Sequence, residues 1–355
     1  MITFGVVGTA WRAEFFLRVA RACPDTFQVV GLVGRDQTRT AQVASRYNVP
    51  AFASIEDMVR SGEPQFVVTS VSRGANVDVM KELARLDMPI LSETPPAESL
   101  DELHAVWEMA QRGARIQVAE QYWMRPHHMA QLAVAHSGKL GRISQAQISV
   151  AHGYHGISLM RRFLGVMYEP VTISGFSFTS PIIKGRHRAT LPTEEEIITS
   201  TQTIARFDFG DRLGIFDFTG DQYYSMIRGQ RVLVRGERGE LVDETVTYLK
   251  DFRTPIRLPF QRHSAGVNAN LEGHYVKGIQ VGEDWVYTNP LIPAPLPDED
   301  IAVGTCLLKM AEYVAGTGEC YSLAEASHDR YLEILMHQAV ESGQPVSSET
   351  QPWQA

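Results

Sequence analysis

Two histidines and a tyrosine in the order His152-Gly153-Tyr154-His155 are the residues of this chain best suited to moving a proton. An imidazole with an unperturbed pKa of about 6.5 accepts and releases protons near neutrality, and a neighbouring phenol can orient the exchange. The plainer reading is that His155 hydrogen-bonds the start of the helix carrying Leu159 and Phe163. Of His152 and Tyr154, one is expected to be structural and the other to face a substrate. Neutral imidazoles also ligate zinc, and His127-His128 lie upstream. No carboxylate or thiol stands in an obvious third position, so no metal is expected. His127-His128 are instead expected to cap the helix after Pro126.

Proton chemistry on an alcohol needs a hydride acceptor, and the first residues point to one. Ile2-Thr3-Phe4-Gly5-Val6-Val7-Gly8-Thr9-Ala10 reads as a strand and a glycine turn, with a helical pattern from Arg12. Gly8 turns the chain off the strand and Ala10 leaves room for a pyrophosphate. The helix beginning near Trp11 aims backbone N–H groups at it. Gly8-x-Ala10-x-x-Ala13 keeps one of the three glycines of G-x-G-x-x-G, so the motif alone leaves an ordinary βα turn open. Arg12, Arg35, Arg73 and Arg125 fall in predicted loops at the same edge. After the second strand an acid would bind the 2′-hydroxyl of NAD, whereas a small residue followed by Arg admits the 2′-phosphate of NADP. Gly34-Arg35 stand there and favour NADP, while Asp36 keeps NAD open.

These residues need a scaffold, and 355 residues with 44% hydrophobic content suffice for two domains, expected at 1–120 and 121–355. The net charge of −8 and the lack of a Lys/Arg run argue against nucleic acid. Cys23, Cys306 and Cys320 are odd in number and far apart in sequence, as expected of reduced thiols in a cytoplasmic protein. No leader and no apolar run long enough for a membrane span is seen.

The N-terminal third alternates apolar runs, at Phe4–Val7, Phe27–Val33, Phe66–Val68, Met88–Leu91 and Ile116–Ala119, with helical periodicity. That pattern predicts βαβ units and a parallel sheet. Ser54-Ile-Glu-Asp57 and Ser99-Leu-Asp-Glu102 look like helix caps. Beyond Glu120 the chain becomes β-rich, with expected strands at 142–150, 171–179, 197–209, 213–220 and 231–234. These predict an antiparallel sheet with helices on one face and the other free to pack on a copy of itself. The Pro-, Gly- and Asn-rich stretch 251–297 is expected to form long loops or irregular strands. Helices near 300–315 and 323–342 close the chain.

On several segments the chain resembles the Gfo/Idh/MocA oxidoreductases, the family of glucose-fructose oxidoreductase and inositol dehydrogenase. They are the turn at Gly8, Val33-Gly34-Arg35-Asp36, Met88-Pro-Ile-Leu-Ser-Glu93-Thr94-Pro95, Ser137-Gly-Lys-Leu-Gly141-Arg-Ile, Gly153-Tyr154-His155 with Gly165 ten residues on, and the closing helix before Gly343-Gln-Pro-Val346. The resemblance covers nearly the whole chain. It implies an α/β protein with an N-terminal Rossmann domain and a C-terminal α/β domain. The latter would carry a large, mostly antiparallel open sheet through which homodimers or homotetramers form. The implied activity is hydride transfer between NADP or NAD and a hydroxyl of a sugar, glycoside or cyclitol.

Position by position, the resemblance carries departures. The family's Glu-Lys-Pro is here Glu93-Thr94-Pro95, and a threonine hydrogen-bonds but does not titrate near pH 7. The Asp expected four residues before the active-site His is Ala151; Ser72 replaces a usual Pro and Asn76 a usual His. His155 is retained and becomes the expected acid/base, with Tyr154, Thr94 and Tyr122, which follows the Ile116–Ala119 strand, beside it. The resemblance puts Gly8, Thr9, Ala10, Trp11, Arg12, Gly34, Arg35, Ser70, Ser72, Asn76, Glu93 and Thr94 at the dinucleotide, with Glu93 near the nicotinamide ribose. It puts His152, Trp123 and Arg125 at the substrate, Trp123 either stacking on a sugar ring or packing at a domain interface. Two alternatives stay open. In one, a tightly held NAD oxidises the sugar transiently, permits elimination or hydrolysis, and takes the hydride back. In the other, the protein binds ligand but has lost catalysis.

Overall fold

A computed structural model describes residues 1–186 and 190–354. Along the first third run β1 (Ile2–Val7), α1 (Ala13–Ala22), β2 (Phe27–Val33), α2 (Gln37–Tyr47), β3 (Ala51–Phe52), α3 (Ile55–Gly62), β4 (Phe66–Thr69), α4 (Arg73–Arg85), β5 (Ile90–Ser92), α5 (Leu100–Gln111) and β6 (Ile116–Val118). The six strands form one parallel sheet in the order β3-β2-β1-β4-β5-β6. Strands covered by helices on both faces must be apolar on both, which is why they read as continuous runs. Phe66, Val67 and Val68 are fully buried. Only the two-residue β3 escapes the sequence reading, being too short to show a period. Ser54 caps α3 by accepting from the Asp57 N–H, and Ser99 forms a capping box with Glu102 at the start of α5, as their spacing predicted. The strand order reverses between β1 and β4. A crevice therefore opens between the turns that follow them.

The rest of the chain comprises α6 (Pro126–Ala135), β7 (Ile143–Ser149), α7 (Gly153–Leu164), β8 (Thr172–Ile183), β9 (Ile197–Asp208), β10 (Leu213–Thr219), β11 (Arg231–Gly236), β12 (Gly239–Val242), β13 (Thr245–Leu249), β14 (Pro255–Ser264), β15 (Val276–Val281), β16 (Asp284–Thr288), α8 (Asp298–Val314), α9 (Leu323–Ser342) and β17 (Val346–Ser347). Among the described residues these strands form an 11-stranded sheet in the order β16-β15-β14-β13-β12-β11-β7-β10-β9-β8-β17. Its pairs are antiparallel except β7 with β10. The fold is the α/β arrangement expected.

Two expectations need correcting. Within the stretch 251–297 the strands β14, β15 and β16 extend the sheet, with register shifts at His263/Ser264 and Ile279/Gln280, so the irregular-strand alternative holds there and the long-loop alternative does not. Alternation is present in β14, where Ile256, Leu258 and Phe260 are partly buried and Arg257, Pro259 and Gln261 exposed, but the surrounding prolines and glycines mask it. His127 and His128 do not cap α6 either. The cap position is Arg125, and both histidines lie inside the first turn.

Helices α7 and α9 cover one face of the large sheet, while Phe176 on β8 stays 56% exposed among the residues outside that cover. Helix α8 crosses to pack on α1, where Arg18 bridges Asp300 at 2.7 Å. That crossing brings Glu299, in the first turn of α8, to the glycine turn.

Candidate active site

The turn after β1 is built for close approach. Gly8 has φ +131°, and a Cβ there would lie 2.0 Å from the carbonyl oxygen of Ser70, so only glycine passes. Ser70 in turn donates its N–H to Val7, locking the turns after β1 and β4 together. Ala10 and Trp11 are exposed, the indole lying edge-on to Phe15. No side chain caps α1, so its first N–H groups meet no side-chain acceptor among the described residues. Small residues, a positive-φ glycine and an uncapped helix start fit a dinucleotide pyrophosphate.

At the end of β2, a Cβ on Gly34 would lie 2.5 Å from the Thr40 hydroxyl and 2.7 Å from the Thr9 methyl. Thr9 and Thr40 thus fill the space an acidic side chain would need. Arg35 is exposed, whereas Asp36 spends a carboxylate oxygen capping α2 through the Arg39 N–H at 3.0 Å. Arg39, missed by the sequence reading, donates from Nε to the Thr9 carbonyl and so lies against the glycine turn.

Asn76, expected near the cofactor, is engaged by protein. It is buried, accepts from the Thr69 hydroxyl at 2.7 Å, and donates to the Ser92 hydroxyl at 2.9 Å and the Pro96 carbonyl at 3.0 Å. Its amide ties β4, β5 and α4 together behind the crevice. Asn76→Ala is expected to lower unfolding free energy by roughly 2–3 kcal/mol, since it strands a buried hydroxyl and a carbonyl. Denaturant titration reads this, with dinucleotide affinity changed far less. Ser72 is the exposed first residue before α4 and caps nothing.

Arg12 and Arg125 also sit differently from expectation. Arg12 Nε donates to Glu93 at 2.6 Å and Nη1 to Glu299 at 2.9 Å, while Arg125 reaches the other oxygen of Glu299 at 2.6 Å and covers the Tyr122 ring at 3.8 Å. Gln121 adds a bond to Glu299 at 3.1 Å. The second Glu93 oxygen accepts from the Thr94 N–H at 3.3 Å. Glu93 is therefore engaged by protein at both oxygens, and of Arg12 only the buried Nη2 has no partner. Burial tends to raise the Glu299 carboxyl, but Arg125 and Arg12 win and hold it down at about 2. Nothing in the local sequence announced Glu299, because 287 residues separate it from Arg12.

His155 meets a residue that sequence reasoning passed over. Its Nδ1 lies 2.6 Å from Oε2 of Glu120, and Oε1 of that carboxyl accepts from the Tyr122 N–H at 3.3 Å. Glu120 is 0% exposed and His155 5%. The Tyr122 ring stacks on the imidazole, with centroids 4.2 Å apart and planes 28° from parallel. Burial pushes the imidazole down to about 3 and the Glu120 carboxyl up to about 8, the latter opposed by the Tyr122 N–H and by Arg162, Arg12 and Arg125. Both shifts say that this buried pair resists net charge. The one available signal was an acid set directly after a buried strand, with no basic neighbour in sequence.

Around the pair, His152 Nδ1 lies 2.6 Å from the Tyr223 hydroxyl, which shares a further hydrogen bond with Tyr122. Tyr223, absent from the sequence reading, belongs to the short 3-10 turn Gly220–Tyr223 after β10. Tyr154 is buried with its hydroxyl unpartnered, and its backbone N–H bonds Glu333 at 2.9 Å; its ring lies edge-on to His155 at 5.2 Å. Trp123 follows the packing alternative. Arg162 covers its ring at 4.0 Å and it joins both hydrophobic clusters. Thr94 lies half-buried at the start of the turn beside Glu93. No grouping of three or more metal-ligating side chains occurs among the described residues.

Residues 2–121, the part that builds the parallel sheet and the glycine turn, match the model of the oxidoreductase family Gfo/Idh/MocA, described as an NAD-binding Rossmann fold. The match is confined to the part of the chain that carries the parallel sheet. No curated protein matches the sequence. Solved structures resemble the whole chain. A levoglucosan dehydrogenase in complex with NADH is 12% identical with a TM-score of 0.69, over 99% of this chain and 100% of its own. A myo-inositol dehydrogenase from Corynebacterium glutamicum is 14% identical with a TM-score of 0.68, over 99% and 100%. An oxidoreductase from Agrobacterium radiobacter, in complex with NAD+, L-tartaric acid and magnesium, is 13% identical with a TM-score of 0.66, over 97% and 98%. At these identities the likeness is one of fold. The family match covers residues 2–121 of the 355, and no helix of the described residues is long and apolar enough to cross a membrane.

Proposed function

We propose that the protein is an NAD(P)-dependent oxidoreductase moving hydride between a nicotinamide and a hydroxyl-bearing carbon of a sugar, glycoside or cyclitol, with His155 handling the hydroxyl proton. The observation that carries this is the buried imidazole itself. It is held at Nδ1 by Glu120 and joined to the glycine turn through Tyr122, Arg125, Glu299 and Arg12. When bound, the nicotinamide supplies the hydride acceptor. The chain's own groups take the proton at Nε2, hold the ring plane with Tyr122, and line the space with the His152–Tyr223 pair. Arg12 and Arg125 face Glu93 and Glu299, so the site is near charge balance and suits an uncharged polyhydroxy compound better than an acid. A neighbouring levoglucosan dehydrogenase in complex with NADH and L-sorbose agrees with that substrate class. Titrating purified protein with both dinucleotides, then screening polyols by nicotinamide absorbance, tests the reading. Binding with substrate-dependent reduction is expected, and no binding at millimolar concentration ends it. Product formed without change in nicotinamide absorbance would assign the redox-neutral cycle instead.

The preference for NADP belongs to this proposal. The levoglucosan dehydrogenase holds NADH and the Agrobacterium radiobacter oxidoreductase NAD+, so the preference rests on this chain's own filled space at Gly34 and on Arg35 and Arg39 near the turn. Arg35→Ala is expected to weaken NADP roughly tenfold, the loss of about one charge-assisted phosphate contact, and to leave NAD within about twofold. Equal losses for both, read by fluorescence titration, would assign the site to NAD. A homodimer or homotetramer through the open sheet face carrying Phe176 and Phe178 is part of the same proposal.

A further inference from the structure

We infer that Glu120 is the positioning residue of His155, which by accepting the Nδ1 hydrogen reserves the Nε2 lone pair for the substrate proton. The inference rests on the reading of His155 as acid/base above. The position four residues before His155 is Ala151, whose methyl can orient nothing. The carboxylate arrives instead from the other half of the chain, since Glu120 follows β6 whereas His155 lies in the first turn of α7. With one oxygen on the Tyr122 N–H and the other on Nδ1, the carboxylate cannot rotate without breaking both bonds. Above about pH 8 the Glu120 carboxylate is ionised and only accepts, so Nδ1 carries the hydrogen and Nε2 is left basic.

In the oxidising direction the substrate O–H bond breaks and its proton goes to Nε2. The O–H electron pair becomes the second C=O bond as the carbon gives up its hydride. The alcohol would thus be oxidised by two electrons, which a nicotinamide held at the glycine turn would accept as the hydride. Glu120 keeps its bond to Nδ1–H throughout and offsets the imidazolium charge in a site that excludes water. Reduction runs the same transfers in reverse. Tyr122 from the β6 side, His152 and Tyr154 from α7, Arg12 from the glycine turn, Arg125 before α6, Glu299 from α8 and Glu333 from α9 are the other polar groups acting on the imidazole.

The test is the tautomer, read from the 13C and 15N shifts of His155 in labelled full-length protein and assigned against His155→Gln. At about pH 9, where imidazole is neutral, the wild type is expected to show Nδ1–H. Glu120→Ala is expected to pass to Nε2–H and to lose ~10²–10³ in kcat with KM changed little. Glu120→Gln, whose single amide oxygen stays on the Tyr122 N–H and turns its NH2 toward Nδ1, is expected to hold the Nε2–H tautomer and to lose rate as the alanine variant does. An Nε2–H wild type overturns the inference without any variant having to fold, and so does a Glu120→Ala protein with unchanged tautomer and rate. If instead His155→Gln keeps full turnover, the acid/base reading falls, while the tautomer result still stands on its own spectrum.

Discussion

His155→Gln is expected to lower kcat for polyol oxidation by ~10²–10⁴, the usual worth of a positioned acid/base, while dinucleotide affinity stays within about twofold. The loss should be confined to turnover, because the imidazole touches none of the residues that cradle the pyrophosphate. Stability should change little, as glutamine can still pair with Glu120. The pH dependence carries its own sign. Protonated once, the Glu120–His155 pair is net neutral, Nε2 bears a hydrogen, and the pair is an acid. Deprotonated, it is net negative and Nε2 is a base. Burial favours the neutral form and pushes the Glu120 carboxyl up to about 8 against the pull of the Tyr122 N–H and of Arg162, Arg12 and Arg125. Oxidation of the alcohol should therefore rise as pH passes through about 8, and reduction of the carbonyl should fall over the same range. Initial rates in both directions between about pH 6 and 10 would show it, since these limits bracket the shifted group. A flat profile, or opposite slopes, would contradict the assignment.

Gly8→Ala should be the most damaging single change in the first half of the chain. It places a Cβ 2.0 Å from the Ser70 carbonyl oxygen at a φ of +131° that L side chains rarely adopt. Either the β1 turn or the β4 turn must move, which costs roughly 3–5 kcal/mol by combining backbone strain with overpacking. Dinucleotide affinity should fall more than about 100-fold, because the displaced turns are the ones that flank the crevice. The struck atom is backbone, so a second change Ser70→Gly should not rescue either property. Denaturant unfolding and fluorescence titration give the two readouts. Retention of wild-type affinity would mean that the cofactor does not lie on this turn.

Several residues expected at the ligands are also held by other protein groups. Asn76 joins two strand ends to a helix, Trp123 carries the Arg162 guanidinium on its face, and Arg12 and Arg125 meet on Glu299. Each has a polar group whose local context is compatible with either role. What distinguishes them is whether protein groups already occupy their hydrogen-bonding capacity.

Local chemistry alone determined the parallel sheet, the glycine turn, the caps at Ser54 and Ser99, and the prominence of His155. These depend on periodicity, on the missing Cβ of one glycine and on contacts within four residues, all of which are written along the chain. The partners of His155 and Arg12 were decided only by the tertiary structure. Glu120 is 35 residues from His155, and Glu299 is 287 from Arg12. Likewise β14 to β16 became strands, with register shifts between them, because an existing sheet edge offered them hydrogen bonds, not because their own composition demanded it. A charged side chain carries no mark of which distant group will neutralise it. That choice is made when the crossing of α8 onto α1 and the seating of α7 beside β6 bury the charges and leave them only each other.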